Sequence, residues 1–142
     1  MNDLQPKLRV IVCRTPLAAE LSREAVIRSL AAEMAQGDAA YAEAVVTSAL
    51  AREAEESTYV GRGLAVPHAR LAGAVQPCIC LAVSPGVDWQ GEQATLIALP
   101  AVPETQPEWH LLLLSTLARY VSAHRSGIDL DALAAALQQK TA

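Results

Sequence analysis

The sequence predicts an α/β fold in which helices cover both faces of a mixed β-sheet, a three-layer α/β/α arrangement. Short apolar runs typical of strands are interspersed with patterns of helical period, in the order strand, two helices, three strands, two helices. No repeat, low-complexity tract or linker divides the chain. We therefore expect residues 1–142 to form a single domain, which is long enough to bury a hydrophobic core.

The first half of the chain predicts one strand and two helices. The strand is expected at Leu8–Cys13, which is mostly apolar and β-branched. Ser22 has the residue type of a helix N-cap and Gly37 that of a C-terminal stop. Apolar residues recur between them at helical spacing: Val26, Ile27, Leu30, Ala31 and Met34. Asp38 is predicted to cap a second helix whose buried stripe includes Tyr41, Val45 and Ala49.

The second half predicts three strands followed by two helices. The strands are expected at Leu64–Val66, Cys78–Val83 and Ala94–Leu99, each bounded by turn residues. Pro107 suits the first turn of a third helix, which Gly127 ends, and Asp129 suits the cap of the last. One face of the third helix would carry His110, Leu113, Leu114, Leu117 and Val121.

Charge and hydropathy exclude two classes of function. The net charge is −4 and the pI about 5.3, and the basic residues form no run, so we expect no nucleic-acid binding. The mean hydropathy of +0.23 comes with no uninterrupted apolar stretch of the ~18 residues that a membrane helix needs, so we expect no membrane insertion. The first residues have no pattern of a secretory signal, so we expect a cytoplasmic protein.

Two further clusters have a structural and a chemical interpretation. The acidic run Glu53, Glu55 and Glu56 is interpreted as a solvated helix face. Three cysteines are an odd number, so a disulfide framework is not expected. Cys78 and Cys80 are two residues apart in a predicted strand, so their side chains would point to the same face. Buried thiols are the favoured interpretation because C-x-C lacks the C-x-x-C spacing of structural zinc sites. A metal-dependent hydrolase using these thiols and the three histidines is kept as an alternative.

The stretch Ser57–Arg70, S-T-Y-V-G-R-G-L-A-V-P-H-A-R, is the strongest candidate for a site. Pro67 restricts the backbone before His68, so we expect the imidazole to project from the rim of the sheet. The flanking glycines allow a close approach of an anion or another backbone. Three arginines that suit phosphate recognition are within plausible reach: Arg52, Arg62 and Arg70.

A second histidine, His110, is predicted in the first turn of the third helix. The positive end of the helix dipole disfavours an imidazolium there, so the ring would be neutral and could donate one hydrogen bond to an anion. Because the same face carries leucines, a packing role is the alternative. His124, at the other end of this helix, is interpreted as a C-terminal dipole partner or a solvent-exposed residue.

Taken as one unit, Ala51–Arg70 resembles the signature of the type-2 enzyme IIA domains of the bacterial phosphotransferase system, the fructose, mannitol and nitrogen-regulatory group. That family has an Arg-Glu pair, a Ser/Thr-rich turn, a Gly-x-Gly-type segment and an apolar-Pro-His stretch. The resemblance implies that His68 is the phosphorylated residue, that Arg52 holds the active site and that His110, in P-E-W-H-L-L-L-L-S-T-L-A-R, is its second histidine. S-R-E-A-V-I-R-S-L-A-A-E-M also resembles the family's first helix.

The resemblance implies a phosphotransferase component. The small carrier HPr would donate a phosphoryl group to His68, which would pass it to a IIB component, with no metal and no cofactor required. Such a transfer needs a neutral imidazole with one nitrogen unprotonated and the other donating to an acceptor. Arg52 and His110 would stabilise the charge of the transferred group, and partners would dock on a modest apolar patch around His68. The alternative is a regulatory module of the nitrogen-regulatory kind, which docks on a target protein according to its phosphorylation.

Overall fold

The computed structural model describes residues 7–73, 75–124 and 127–140. They form six strands and four helices in the order β1–α1–α2–β2–β3–β4–β5–β6–α3–α4. The strands are β1 (Arg9–Val12), β2 (Tyr59–Gly61), β3 (Leu64–Ala65), β4 (Ala69–Leu71), β5 (Cys78–Trp89) and β6 (Glu92–Pro103). The helices are α1 (Arg23–Ala35), α2 (Ala39–Glu55), α3 (Glu108–Ala123) and α4 (Leu130–Lys140).

The strands form one mixed sheet in the order β1-β5-β6-β3-β2. The long strands β5 and β6 are antiparallel neighbours at its centre, and β1 adds to β5 in parallel. Strands β3 and β4 both pair in parallel with β6, with Leu64 opposite Leu96 and Ala69 opposite Ala101. One strand, β6, therefore carries two short partners in succession.

Alternation along the central strands divides the core into two layers. Cys78, Cys80 and Ala82 of β5 point into the layer that contains the buried residues of α1 and α2. Ile79 and Leu81 point into the opposite layer, with the buried residues of α3 and α4. Successive residues of a strand face opposite sides of the sheet, so both faces need a cover of helices. The predicted α/β fold with helices on both faces is confirmed.

The predicted helix caps agree with the structure. Ser22 Oγ accepts a hydrogen bond from the amide of Ala25, and Asp38 Oδ1 accepts one from the amide of Tyr41. Asp129 Oδ1 accepts from the amides of two residues in the first turn of α4. Helix α1 ends through a left-handed Gln36 just before Gly37.

The strand assignment missed two short strands and made both central strands too short, since β6 runs from Glu92 to Pro103 rather than from Ala94 to Leu99. The three-residue strands β2 and β4 were not predicted, because each is too short to show a period of its own. Strand β5 continues past Val83 through the Ser84-Pro85-Gly86 segment, which was interpreted as a turn. The register shifts between Val83 and Val87, so a bulge accommodates this segment inside the strand. None of the described helices is long and apolar enough to cross a membrane.

Candidate functional site

His68 lies in a gap along one edge of β6. Strand β3 ends at Ala65 and β4 begins at Ala69, so Val66, Pro67 and His68 separate the two partners of β6. Pro67 has no amide hydrogen to donate to a ladder, which explains why pairing stops there. Leu64 and Val66 point into the layer of α3, whereas Ala65, Ala69 and Leu71 point into the layer of α2. By the same alternation His68 faces the α3 side.

The His68 ring is held by its own backbone. Nδ1 lies 3.1 Å from the carbonyl oxygen of Val66. Because a carbonyl oxygen can only accept, Nδ1 carries the proton of the neutral ring and Nε2 keeps a lone pair. Burial is the main cause that lowers the pKa of His68, and the charges of Arg52 and Arg70 lower it further. The hydrogen bond to Val66 raises the pKa and offsets part of this shift. The ring is therefore neutral at pH 7 with Nε2 as its basic atom.

The expectation that the His68 ring would project from the rim was wrong in degree, since only 8% of the residue is exposed. The ring turns back toward Val66, and the ring of His110 packs against it with 4.1 Å between the centroids. Sequence could not indicate this cover, because His110 comes from a helix that begins forty residues further along the chain.

His110 lies in the first turn of α3, as predicted. Burial, the repulsion that a protonated His110 would have with a protonated His68, and the charges of Arg70 and Arg52 lower the pKa of His110 to about 4. The neutral ring was expected, but burial rather than the helix dipole is the largest cause. Nδ1 of His110 is buried and has no hydrogen-bond partner among the described residues. A buried polar atom without a partner is costly, so a bound ligand or water that supplied one would be stabilised here.

Two arginines influence both imidazoles. Arg52, at the end of α2, donates from Nη1 to the carbonyl oxygen of Glu56 at 2.8 Å. Arg70 is exposed on β4, where strand alternation puts it on the same face as His68. The amide of Arg70 donates to Ser48 Oγ at 2.8 Å, and Ser48 lies one helical turn before Arg52. This bond joins the two arginine-bearing elements, and the Arg70 guanidinium has no acceptor among the described residues.

One of the three candidate arginines, Arg62, lies elsewhere, together with His124. Arg62 and His124 line a cavity near the C-terminal end of α3, at the opposite end of that helix from His110. The three histidines therefore do not converge. The cysteines Cys13, Cys78 and Cys80 are buried in the layer of α1 and α2. Among the described residues, no group of three or more His, Cys, Asp or Glu is arranged to hold a metal ion.

The interpretation of Glu53 as part of a solvated face was wrong. Glu53 is buried, and its carboxylate accepts from Thr58 Oγ1, from Trp89 Nε1 at 3.3 Å and from Arg23 Nη1 at 3.0 Å. These donors belong to the segment after α2, to β5 and to α1. The carboxylate therefore fixes the segment that leads into β2 and toward His68. The helical period offered one clue, since Glu53 follows Val45, Val46 and Ala49 on the buried stripe of α2.

Exposed apolar side chains follow His110 directly. Leu111 is 69% exposed and Leu112 is 36% exposed. Both lie in the first turns of α3, the end at which the two imidazoles meet. The site thus combines a buried neutral histidine pair, two arginines and an apolar border.

Part of the chain resembles a fructose-specific protein. It is 39% identical over 83 residues to the fructose-specific EIIABC component of the phosphotransferase system of Bacillus subtilis. This alignment covers 56% of the present chain and 12% of the Bacillus protein, so the chain spans a small part of that relative's length.

Solved structures share the fold over almost the whole chain. The nitrogen regulatory protein IIA-Ntr of Neisseria meningitidis superposes with a TM-score of 0.68 at 23% identity, covering 92% of each chain. Enzyme IIA of the mannitol system of Escherichia coli, solved in complex with phosphorylated enzyme IIB, superposes with a TM-score of 0.61 at 20% identity. It covers 89% of the present chain and 94% of its own.

A family match extends over α1, α2, α3, the first half of α4 and the whole sheet except β1. Residues 16–135 match the family model described as "Phosphoenolpyruvate-dependent sugar phosphotransferase system, EIIA 2". This span includes the gap that holds His68 and the start of α3. The chain therefore belongs to the EIIA type 2 family of the phosphoenolpyruvate-dependent sugar phosphotransferase system, a family of phosphoryl carriers.

Proposed function

We propose that this protein is a phosphohistidine carrier in which His68 Nε2 accepts a phosphoryl group from HPr and passes it to a IIB component. The observation that carries this proposal is the bond from His68 Nδ1 to the Val66 carbonyl, which leaves Nε2 with its lone pair in a neutral ring. The lowered pKa of His68 keeps that nitrogen unprotonated near neutral pH. A nucleophile that needs no separate base suits transfer between two imidazoles.

The reaction exchanges one phosphorus–nitrogen bond for another. The bond between phosphorus and the donor imidazole breaks, its electron pair stays on the donor nitrogen, and the lone pair of Nε2 forms the new bond. The transferred group passes through a state with negative charge on three equatorial oxygens, so catalysis depends on positioning and charge stabilisation. No metal or nucleotide is needed, because the donor is already a phosphohistidine.

The surrounding side chains have the chemistry that this transfer requires. Arg52 and Arg70 would bind the equatorial oxygens, and both influence the two imidazoles electrostatically. A neutral His110 can donate one hydrogen bond without adding a positive charge that would repel the arginines. Its unpartnered Nδ1 would gain an acceptor from the phosphoryl group. The resemblance named Arg52 and His110, and Arg70 joins them through its position beside His68.

The partner surface is proposed at the exposed start of α3. Leu111 and Leu112 form an apolar border next to His110, as a transient complex with a carrier or a IIB component requires. The enzyme IIA of the mannitol system, which shares the fold, was solved together with phosphorylated IIB. A phosphoryl group adds close to two negative charges beside this border, so the same surface could distinguish the two states.

That charge change supports a regulatory module as the second candidate function. In this role the phosphorylated and unmodified forms would dock on a target protein with different affinities. The likeness in fold to a nitrogen regulatory IIA protein agrees with this candidate. A pull-down with each form separates the two roles, since a carrier alone captures HPr and a IIB component and no further protein.

Phosphorylation with purified donor proteins tests the carrier function. The full chain is incubated with enzyme I, HPr and ³²P-labelled phosphoenolpyruvate, and acid-labile label is counted. We expect labelling of the parent protein and of His124→Gln, whose imidazole lies outside the site, and none of His68→Ala. Arg52→Gln and Arg70→Gln should slow labelling by about 10²-fold or more. Equal labelling of His68→Ala and the parent would overturn the proposal.

A further inference from the structure

The cavity lined by Arg62 and His124 lies at the opposite end of α3 from the histidine pair. Its volume is about 610 Å³, within the range of pockets that hold small molecules. It is separated from His110 by roughly 20 Å of helix at 1.5 Å per residue. Polar and apolar residues share its lining: Arg62, Thr95, His124, Val83, Val121 and Ile128. No acidic side chain occurs among the described lining residues.

The backbone of the β2–β3 turn presents Arg62 in an unusual conformation. Arg62 has a φ of 55°, in the left-handed region that side chains other than glycine rarely adopt. It stands between Gly61 and Gly63, which also have positive φ. The carbonyl oxygen of Gly63 accepts from the amides of Thr95 and Leu96 at 2.8 and 3.0 Å, which fixes the turn against β6. A strained residue on a fixed turn is a reason to look for a function of its side chain.

The charge of Arg62 has no partner in the part of the chain that the structure describes. The Arg62 side chain lines the cavity. No described residue accepts a hydrogen bond from the Arg62 guanidinium or forms an ion pair with it. An unpaired guanidinium at a cavity is suited to a carboxylate, sulfonate or phosphate group. Thr95 adds a hydroxyl group to the same lining.

His124 supplies a second oriented polar group. Its Nδ1 donates to the Tyr120 carbonyl at 2.9 Å, and its ring stacks on the Tyr120 ring at 3.9 Å. Nε2 of the neutral ring then keeps its lone pair and can accept a hydrogen bond from a donor group of a ligand. Two of the last carbonyls of α3, those of Tyr120 and Val121, accept from the amide of His124 and so are not left free at this end of the helix. Val83, Val121 and Ile128 add apolar wall.

We propose that this cavity is a binding site for a small organic anion that carries one anionic group on an apolar body. Arg62 binds the anionic group, the Thr95 hydroxyl donates a hydrogen bond to it, and the apolar body packs against Val83, Val121 and Ile128. The inference stands on residues outside the His68 site and is independent of the proposed phosphoryl transfer.

A matched pair of probes tests the inference. The aromatic sulfonate 1-anilinonaphthalene-8-sulfonate has one anionic group on an apolar body, and N-phenyl-1-naphthylamine has the same body without the charge. Each is titrated into the ¹⁵N-labelled full chain, and amide shifts and calorimetric heats are measured. We expect saturable binding of the sulfonate with shifts centred on Thr95, Val121, His124 and Ile128, and weaker binding of the neutral compound. No saturation up to about 1 mM would overturn the proposal, as would shifts centred on another region or equal binding of both compounds.

Variants at Arg62 supply the second measurement. Arg62→Gln and Arg62→Gly should each weaken sulfonate binding about tenfold or more, the loss of one charge-assisted contact. The glycine variant removes the left-handed strain, so it remains folded where the glutamine variant could be affected. Arg28→Gln makes the same charge change on the surface of α1 and should bind as the parent does. An equal loss in Arg28→Gln, or no loss in the Arg62 variants, would contradict a site at Arg62.

Discussion

Replacing Glu53 with alanine should destabilise the fold by about 3–5 kcal/mol. The carboxylate accepts from Thr58 Oγ1 and Trp89 Nε1, and both donor residues are buried. Each donor left unpaired costs about 1–3 kcal/mol. Arg23 keeps part of its hydration, with 30% of its side chain exposed, so its unpaired charge adds less. The two buried donors therefore account for most of the expected loss.

Glu53→Gln separates the hydrogen bonds from the charge. The amide oxygen of glutamine can still accept from Thr58 and Trp89, whereas the contact with Arg23 is lost. We expect a loss of about 1–2 kcal/mol, smaller than that of the alanine variant. Glu55→Ala is the matched control, since Glu55 is an exposed glutamate on the same helix, and it should change stability by no more than about 0.5 kcal/mol.

Urea unfolding at pH 7, followed by circular dichroism, measures these differences. The urea midpoints should rise in the order Glu53→Ala, Glu53→Gln, Glu55→Ala, and the slopes should be the same for all three variants. The reasoning is refuted if Glu53→Ala is as stable as Glu55→Ala, or if Glu53→Gln loses as much as Glu53→Ala. The first result would mean that the buried donors find other partners, and the second that the charge dominates.

Three further predictions concern the histidine pair, the turn before His68 and the exposed border. Lowering the pH from about 7 to about 4.5 should destabilise the fold. The pKa of His110 is lowered to about 4 in the folded protein, so below pH ~6.5 the unfolded chain binds a proton at this histidine before the folded protein does. The stability that comes from the neutral ring is therefore present above pH ~6.5 and is lost toward pH 4. The difference between the unfolded and folded pKa of His110 corresponds to about 3 kcal/mol of unfolding free energy, which partial solvation reduces to about 1–2 kcal/mol. The urea midpoint of His110→Gln should therefore fall less than that of the parent when the pH is lowered, and an equal fall contradicts this. Gly63→Ala should lower the free energy of unfolding in urea by about 1–2 kcal/mol, because φ is +81° and the added Cβ would meet Thr95 Oγ1. The Cβ of Gly61→Ala meets nothing within 4 Å, so this variant should lose less stability, and equal losses would rule out the steric contribution. Leu111→Ser should raise the HPr concentration needed for half-maximal phosphorylation severalfold with unchanged stability, as expected if this exposed leucine belongs to the docking border, and an unchanged requirement would exclude it.

Much of the fold was predictable because its signals are local. The helices carry caps and apolar stripes within one segment, so Ser22, Asp38 and Asp129 could be recognised from their own neighbourhood. The central strands were predicted at their apolar parts but not at their full length. The bulge between Val83 and Val87 depends on pairing with β6, which no local pattern encodes.

The site was predictable in its members but not in its geometry. The pattern around Pro67 and His68 and its resemblance to a family named His68, Arg52 and His110 as candidates. The tautomer of His68 depends on the carbonyl of Val66, two residues away. One ring nitrogen was expected to donate to an acceptor, and the bond to this carbonyl agrees with that expectation. The packing of His110 on His68 and the joining of β4 to α2 through Ser48 depend on contacts between distant segments.

The sequence by itself determined the class of fold, the caps, the alternation of the core strands and the histidine after a proline at a strand end. These follow from periodicity and backbone preference, which act over a few residues. Only the tertiary structure decided that Glu53 is buried, that His68 is covered, and that Arg62 lines a separate cavity while Arg70 acts on the histidine pair. Burial and electrostatic environment depend on which segments meet in space, and long-range strand pairing and layer packing set those meetings.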